Sequence, residues 1–342
     1  MSFGKALSYW RHARGLTQAE LAQAVGVSRQ TLIAVEQDHR LPQLELAVNL
    51  ARVLEVSLDQ LTASLGSSAV SIPHEWAFLP EEPRYSGPVV WSRVGTQGVA
   101  VPWALVSSPG RLPDAWWDAE RRQMVPLPQH RPPERVILLG GCDPFTGWLE
   151  ELYQRAWPGY WLQGVALSST KAVEAFRHGL IHVAGTHWRD PATGEYNRLS
   201  DQLGGAVRRY HYVRWQEGWV GNREAPKTGL WAVREPGSEA HALFLRQQGQ
   251  APVRETRTFT THTVLVRFLK DNPRWAGVTI GALAALDGLA FSPWAEEPYD
   301  LWIRRSDEDR RWAQQLWAVL ESSDLAEALA KIPFLALTGR WA

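Results

Sequence analysis

Residues 17–35, Thr-Gln-Ala-Glu-Leu-Ala-Gln-Ala-Val-Gly-Val-Ser-Arg-Gln-Thr-Leu-Ile-Ala-Val, constrain the fold more than any other stretch of the chain. Thr17 and Glu20 have the spacing of a capping box, which satisfies orphan amides at a helix start. Ala22 is small where a second helix has to cross closely. Gly26 supplies a residue that enters positive φ without steric cost. Ser28 suits the N-cap of a following helix. Leu32 and Val35 lie on the face that returns to Leu21 and Val27. The pattern is a helix-turn-helix, the unit that sets its second helix in the DNA major groove.

The flanks extend the pattern. Residues 3–14 read as an amphipathic helix with Leu7, Trp10 and Ala13 inward. After Pro42, Leu44, Ala47, Leu50, Ala51 and Leu54 recur at helical spacing. A second capping box, Ser57 to Gln60, opens a short fifth helix ending near Leu61. Turn glycine, caps and core together resemble the Cro/repressor-type (Xre) five-helix domain over about the first 62 residues. By position, that resemblance implies that Gln18 clamps a phosphate and that Ser28, Arg29, Gln30 and Thr31 face the groove. Arg40 and Lys5 become backbone contacts. Arg pairs bidentately with guanine and Gln with adenine, and a Thr methyl meets the thymine methyl. Residues 1–62 carry six basic side chains (Lys5, Arg11, Arg14, Arg29, Arg40, Arg52) against six acidic ones (Glu20, Glu36, Asp38, Glu45, Glu55, Asp59). A neutral head binds DNA weakly outside its site, so specificity is expected from a homodimer reading two half-sites.

At 342 residues, with 36 basic and 36 acidic side chains, the chain has room for two or three domains and suits a soluble protein. The expected location is the cytoplasm. Lys5 leads into an amphipathic helix rather than an apolar signal segment, and one cysteine excludes an internal disulfide. The longest small-apolar run, near 281–290, is broken by Asp287 and is too short for a membrane span. Nineteen tryptophans are unusual; most are expected in cores, but so many amphipathic rings leave material for an aromatic-lined cleft or a subunit interface.

Composition marks the joints. Residues 63–71 read as a linker, and a proline-rich segment follows with short apolar runs at 89–91, 99–101 and 104–106. The division expected is 1–66 for the helical head, 67–133 for a linker and small β-rich module, and 134–342 for an α/β domain. In that last part strands and helices alternate, and such alternation builds a mostly parallel sheet with ligands outside its carboxyl strand ends. The junctions are Gly141-Cys142-Asp143-Pro144, Gly185-Thr186-His187, Pro236-Gly237-Ser238 and Thr260-Thr261-His262-Thr263. With Asp190-Pro191-Ala192-Thr193-Gly194 and Glu297-Pro298-Tyr299-Asp300-Leu301, this order resembles the substrate-binding fold of molybdate-type periplasmic receptors. The resemblance implies a multidomain regulator: an all-α head, the β-rich module, and two lobes closing on a small molecule.

Helix N-termini at strand ends are ready anion sites. Ser168, Ser169, Thr170, Ser238, Thr261 and Thr263 are therefore ligand candidates, with Thr146, His187 and His262 behind them. Each hydroxyl is also explained as an N-cap worth about 1 kcal/mol. Asp143 and Glu239 at the same junctions argue against a bare oxyanion and for an amine or hydroxyl, so both an organic metabolite and an oxyanion such as molybdate or tungstate stay open. His178, His182 and His187 tempt a metal reading, but Gly179 breaks the helical spacing and no metal or other cofactor is expected. Cys142 reads either as an oxidation-sensitive thiol at a helix start or as a small buried residue. An enzyme using the cleft would need a paired nucleophile and base, which no motif supplies. A third possibility is a receptor-like domain that only dimerises.

Overall fold

The computed structural model describes residues 3–56, 58, 61, 76–107, 112–128, 130–198, 205–247, 249 and 252–341. The expected capping box at Ser57–Gln60 and the linker at 63–71 fall outside these residues, apart from Leu58. Two compact units emerge. One contains residues 1–75, 83–89 and 113–131, and the other 76–82, 90–112 and 132–342.

The first unit holds the helical head: α1 (Phe3–Ala13), α2 (Gln18–Ala24), α3 (Arg29–Glu36) and α4 (Leu44–Val53). The Thr17–Glu20 capping box is complete, and Gly26 takes φ +72° at the turn, where a side chain would be strained. Phe3, Leu7, Leu21, Leu32, Val35, Leu50, Leu54 and Leu61 form the sealed core. Two expected core positions are on the surface instead. Ala13 ends α1 in solvent, and Leu44 is 72% exposed because burial along α4 begins only at Leu46. The inward face of α1 holds a charge in their place, Arg11, paired with Glu36 at 2.6 Å. The same unit contains the hairpin β4 (Ala115–Asp118) and β5 (Gln123–Pro126), with β4 also pairing the start of β2 (Gly87–Val94).

In the second unit, β1 (Trp76–Phe78) pairs in parallel with β3 (Gln97–Pro102), beside the end of β2. Residues 104–106, expected as a strand, form a single tight turn (Trp103–Leu105) followed by an isolated bridge from Val106 to Val165. Val90, Val94, Val99 and Val101 share a core with Val136, Leu138, Val165 and Phe176, so these strands cover part of the α/β domain.

The α/β domain is a nine-stranded sheet. One lobe has the parallel strands β6 (Val136–Gly141), β7 (Trp161–Ala166) and β8 (Val183–Thr186). The other has β10 (Leu230–Arg234), β11 (Glu255–Phe259) and β12 (Ala276–Ile280), also parallel. Every residue of β6 is buried, as a parallel strand covered on both faces requires. Two long antiparallel strands, β9 (Val207–Gly221) and β13 (Ala290–Arg304), run through both lobes, and β14 (Leu335–Trp341) flanks β9. Only residues 299–303 of this crossover were expected as a strand. The result is a helical head, a small β region and a two-lobed α/β domain joined by crossover strands.

Tyr299 of β13 is wedged between the ends of β6 and β8. A Cβ added at Gly141 or at Gly185 would each stand 2.0 Å from its hydroxyl oxygen. Gly185→Ala should therefore overpack the strand ends and cost about 1–3 kcal/mol, read as a lower melting temperature of the full chain. An unchanged melting temperature would mean that the tyrosine has room to retreat.

Candidate functional site

In the head, α3 starts at Ser28, whose Oγ accepts from the Thr31 amide at 3.1 Å. The two hydroxyls also meet each other at 2.9 Å, so Ser28 and Thr31 build the helix start. Arg29 and Gln30, one step along, are exposed, as are Arg40 and Lys5. Gln18 is half-buried, and its amide donates to Glu36 Oε2 at 2.8 Å, the carboxylate that also holds Arg11. A concavity of about 690 Å3 at this edge is lined by Thr17, Gln18 and Ala19 together with Arg11 and Arg29. The first turn of α2 and the first residue of α3 thus line one concave surface.

The second site lies where the two lobes meet the crossover strands. Its hydroxyls are largely committed to structure. Ser168 caps the Ser169–Arg177 helix, and Ser169 Oγ accepts from the His187 amide at 3.1 Å. Thr261 caps the His262–Asp271 helix, while Ser238 bridges Glu235 and His241. Thr146 donates to the Asp143 carbonyl at 2.9 Å. Thr263 is exposed on its helix and is not brought in with the others. Among the described residues, hydrogen bonds join the lobes where Thr170 Oγ1 donates to the Gly237 carbonyl at 3.1 Å and the Arg189 amide to Glu239 Oε1 at 3.1 Å.

What the sequence reading missed is the acidic interior. Glu217 on β9 and Glu297 on β13 are both fully buried. In the strand register Glu217 faces Ala295 and Glu297 faces Trp215, so the two acids are diagonal neighbours. His187 Nδ1 sits 2.5 Å from Glu297 Oε2, and Tyr196 donates its hydroxyl to Glu297 Oε1 at 3.1 Å. On the far side of the ring, His187 Nε2 is 3.2 Å from Cys142 Sγ. Trp215 and Tyr299 pack against the imidazole. Neither oxygen of Glu217 accepts from a protein donor, and its carboxyl pairs with that of Glu297 instead. His178 and His182, the other members of the histidine trio, are tied elsewhere: His178 to the Glu174 carbonyl and His182 to the Leu138 amide.

The charges follow from this company. Burial drives Glu217 well above the ordinary carboxylate range, and the negative charge of Glu297 adds to it. Burial pushes Glu297 the same way, but the His187 imidazole beside it prevails and holds it low. Burial alone would neutralise His187, yet Cys142 and Glu297 keep it well above its usual value. Asp143, buried with Oδ2 unpartnered, rises to about 7. Glu239 is raised by burial. His262, bonded to Thr279 at 2.6 Å, is driven low by burial and then by Arg234. Three buried carboxyl groups, Glu217, Glu239 and Glu297, therefore interact with one imidazole. A cavity of about 410 Å3 elsewhere on the crossover strands is lined by Arg198, Arg209, His211, Arg214 and Arg340, but Glu195, Asp300 and Glu296 pair with four of these.

Comparison with known proteins matches both regions. Residues 7–61 fit the helix-turn-helix family model and residues 150–321 the PBP superfamily domain. The chain is 42% identical over 55 residues to an uncharacterized HTH-type transcriptional regulator of Methanocaldococcus jannaschii, covering 16% of this chain and 83% of that one. It is 40% identical over 52 residues to another such regulator from Archaeoglobus fulgidus, covering 15% and 74%. Among solved structures it is similar to an ABC-type phosphate transport receptor from Vibrio cholerae, at 12% identity and TM-score 0.42, over 59% of this chain and 99% of that one. It is also similar to the regulatory domain of MetR, a LysR family regulator from N. meningitidis, at 10% identity and TM-score 0.41, over 59% and 97%.

Proposed function

The chain belongs to the HTH-type transcriptional regulators and to the PBP superfamily domain family, and from that premise we propose that it senses a small effector in the cytoplasm and alters its grip on an operator. The observation that carries the sensing half is the cleft: an unpartnered carboxyl oxygen of Asp143 and the paired carboxyls of Glu217 and Glu297 are buried where the two lobes and both crossover strands converge. Unsatisfied buried polar groups are costly, so an effector that satisfies them favours one lobe arrangement over another. The shift it causes equals its differential affinity for the two arrangements. Buried carboxyl groups whose charge is favoured only beside a cation suit an effector bearing positive charge better than a bare oxyanion such as molybdate or tungstate. Arg29 and Gln30 read bases, Gln18, Lys5 and Arg40 position the backbone, and a homodimer spans two half-sites.

The test is selection of genomic fragments by the full chain, followed by affinity measurement on the selected site. Arg29→Ala with Gln30→Ala should weaken binding about 30-fold or more, since each base contact contributes about 1–3 kcal/mol. Equal affinity of the double variant, or an affinity that no effector shifts, would overturn the reading.

A second reading, thiol catalysis in the same cleft, is favoured by one observation. Cys142, His187 and Glu297 stand in nucleophile, base and orienting positions, at 3.2 and 2.5 Å. An acyl group trapped on Cys142 from an activated ester, and absent in Cys142→Ser, would establish it. Failure to acylate would leave the sensor.

A further inference from the structure

We propose that His187, Glu217 and Glu297 form a binding site for one divalent transition-metal ion, and that this ion is the charged species on which the two lobes close. The inference deepens the sensing role and rests on it only for the ion's regulatory meaning; the site itself stands on geometry. One ligand atom from each of the three side chains lies within 4.8 Å of the others, the dimension of a single coordination sphere. All three are buried, with His187 2% exposed and both glutamates 0%. The Glu217 carboxyl is sealed from water and receives no bond from a protein donor; it faces Glu297, to which it hydrogen-bonds through its own proton. A metal ion between the two glutamates would displace the proton they share and hold both as carboxylates, so its binding releases that proton.

The donor set selects the kind of ion. One imidazole nitrogen with two carboxylates suits zinc, manganese, cobalt or ferrous ions. Copper(I) wants soft thiolates, and magnesium keeps its water and prefers all-oxygen shells. The groups behind the donors are those a metal site needs. Tyr196 fixes Glu297 through Oε1, and Cys142 meets the far nitrogen of His187 and fixes the ring. His187 itself is anchored by its amide to Ser169. The donors follow β8 of one lobe (His187) and come from both crossover strands, so an ion held by all three joins a lobe to the hinge.

The full chain, freed of metal by chelation, is titrated calorimetrically with zinc, manganese and cobalt(II), with magnesium as the comparison. We expect one ion per chain, bound at least ~100-fold more tightly than magnesium, with a rise in melting temperature and a cobalt visible spectrum of nitrogen–oxygen ligation. Glu217→Gln and Glu297→Gln, which keep shape and remove charge, should each weaken binding by more than the ~10–100-fold expected of Tyr196→Phe. Their melting temperatures without metal verify that they fold. No binding tighter than magnesium, or unchanged affinity in both glutamine variants, overturns the site. So does a rise in melting temperature with putrescine but not with metal, since the cluster would then serve an organic amine. Tight metal binding that leaves operator affinity unchanged keeps the site and removes its role as effector.

Discussion

Glu36→Ala is expected to unfold the DNA-binding head and abolish operator binding although Glu36 itself faces no base. Arg11 enters the head core with only 7% of its side chain exposed, and Glu36 meets it with two bonds, at 2.6 and 3.2 Å. The Arg11 Nη1 donates to the Leu16 carbonyl at 2.9 Å, which also fixes the chain entering α2. Removing one partner of a buried pair leaves an uncompensated charge and costs about 3–5 kcal/mol. A head of this size has a total stability of only about 3–9 kcal/mol, so little would remain. Backbone amide exchange in α1 to α3 of the full chain, together with operator affinity, measures the loss. The paired replacement Arg11→Met with Glu36→Leu should recover most of the stability, because a hydrophobic pair removes the charge that the single change strands. If Glu36→Ala exchanges as slowly as the unchanged chain, the ion pair is ornamental.

The head was legible because its signals are local. A capping box, a turn glycine and an N-cap act within a few residues, and each of these survives in the structure at Thr17, Gly26 and Ser28. The misplaced positions fail for a single reason: periodicity identifies an apolar face without saying where along it a neighbour lies, which is why Leu44 and Ala13 are exposed. The strand-to-helix junctions of the α/β domain were equally readable, since Ser168 and Thr261 announce themselves as caps. The crossover was not. β9 carries Arg208, Arg209 and Arg214 among its inward Tyr210, Tyr212 and Trp215, and such a mixture hides a strand whose two faces do different work.

The chemistry was least visible of all. Cys142 and Glu297 reach His187 from 45 and 110 residues away in the chain, so no spacing rule could join them. One hint was present. Asp143 and Glu239 at helix starts already argued against an oxyanion, and the buried glutamates extend the same argument to the centre of the cleft. The hydroxyls first marked as ligand candidates then shape the approach to the acidic centre, closing helices and joining lobes as Thr170 does with Gly237.

Acidification should weaken the α/β domain through His182 by about 4–5 kcal/mol between pH 6.5 and 3. This ring is buried between β6 and the end of β2. It accepts from the Leu138 amide at Nδ1, at 3.1 Å, and its Nε2 donates to the Arg93 carbonyl at 3.1 Å. Only the neutral tautomer fits both bonds, since a protonated Nδ1 would confront an amide hydrogen. Burial lowers the ring to about 3, helped by the nearby charges of Arg304 and Arg310 and opposed by the bond to Arg93; the edge of Trp312 closes the remaining side. The unfolded chain protonates near the ordinary 6.5 while the native chain stays neutral. Between those values the unfolded state binds more protons. Stability is therefore fully present above pH 6.5 and falls by ~1.4 kcal/mol per unit as acid is added. His182→Asn keeps an acceptor for the Leu138 amide but cannot take up the proton. Its opening free energy for β6, measured by hydrogen exchange in the full chain, should start lower at neutral pH and decline less steeply below 6.5. Parallel slopes for the two proteins would show that acid enters the domain elsewhere.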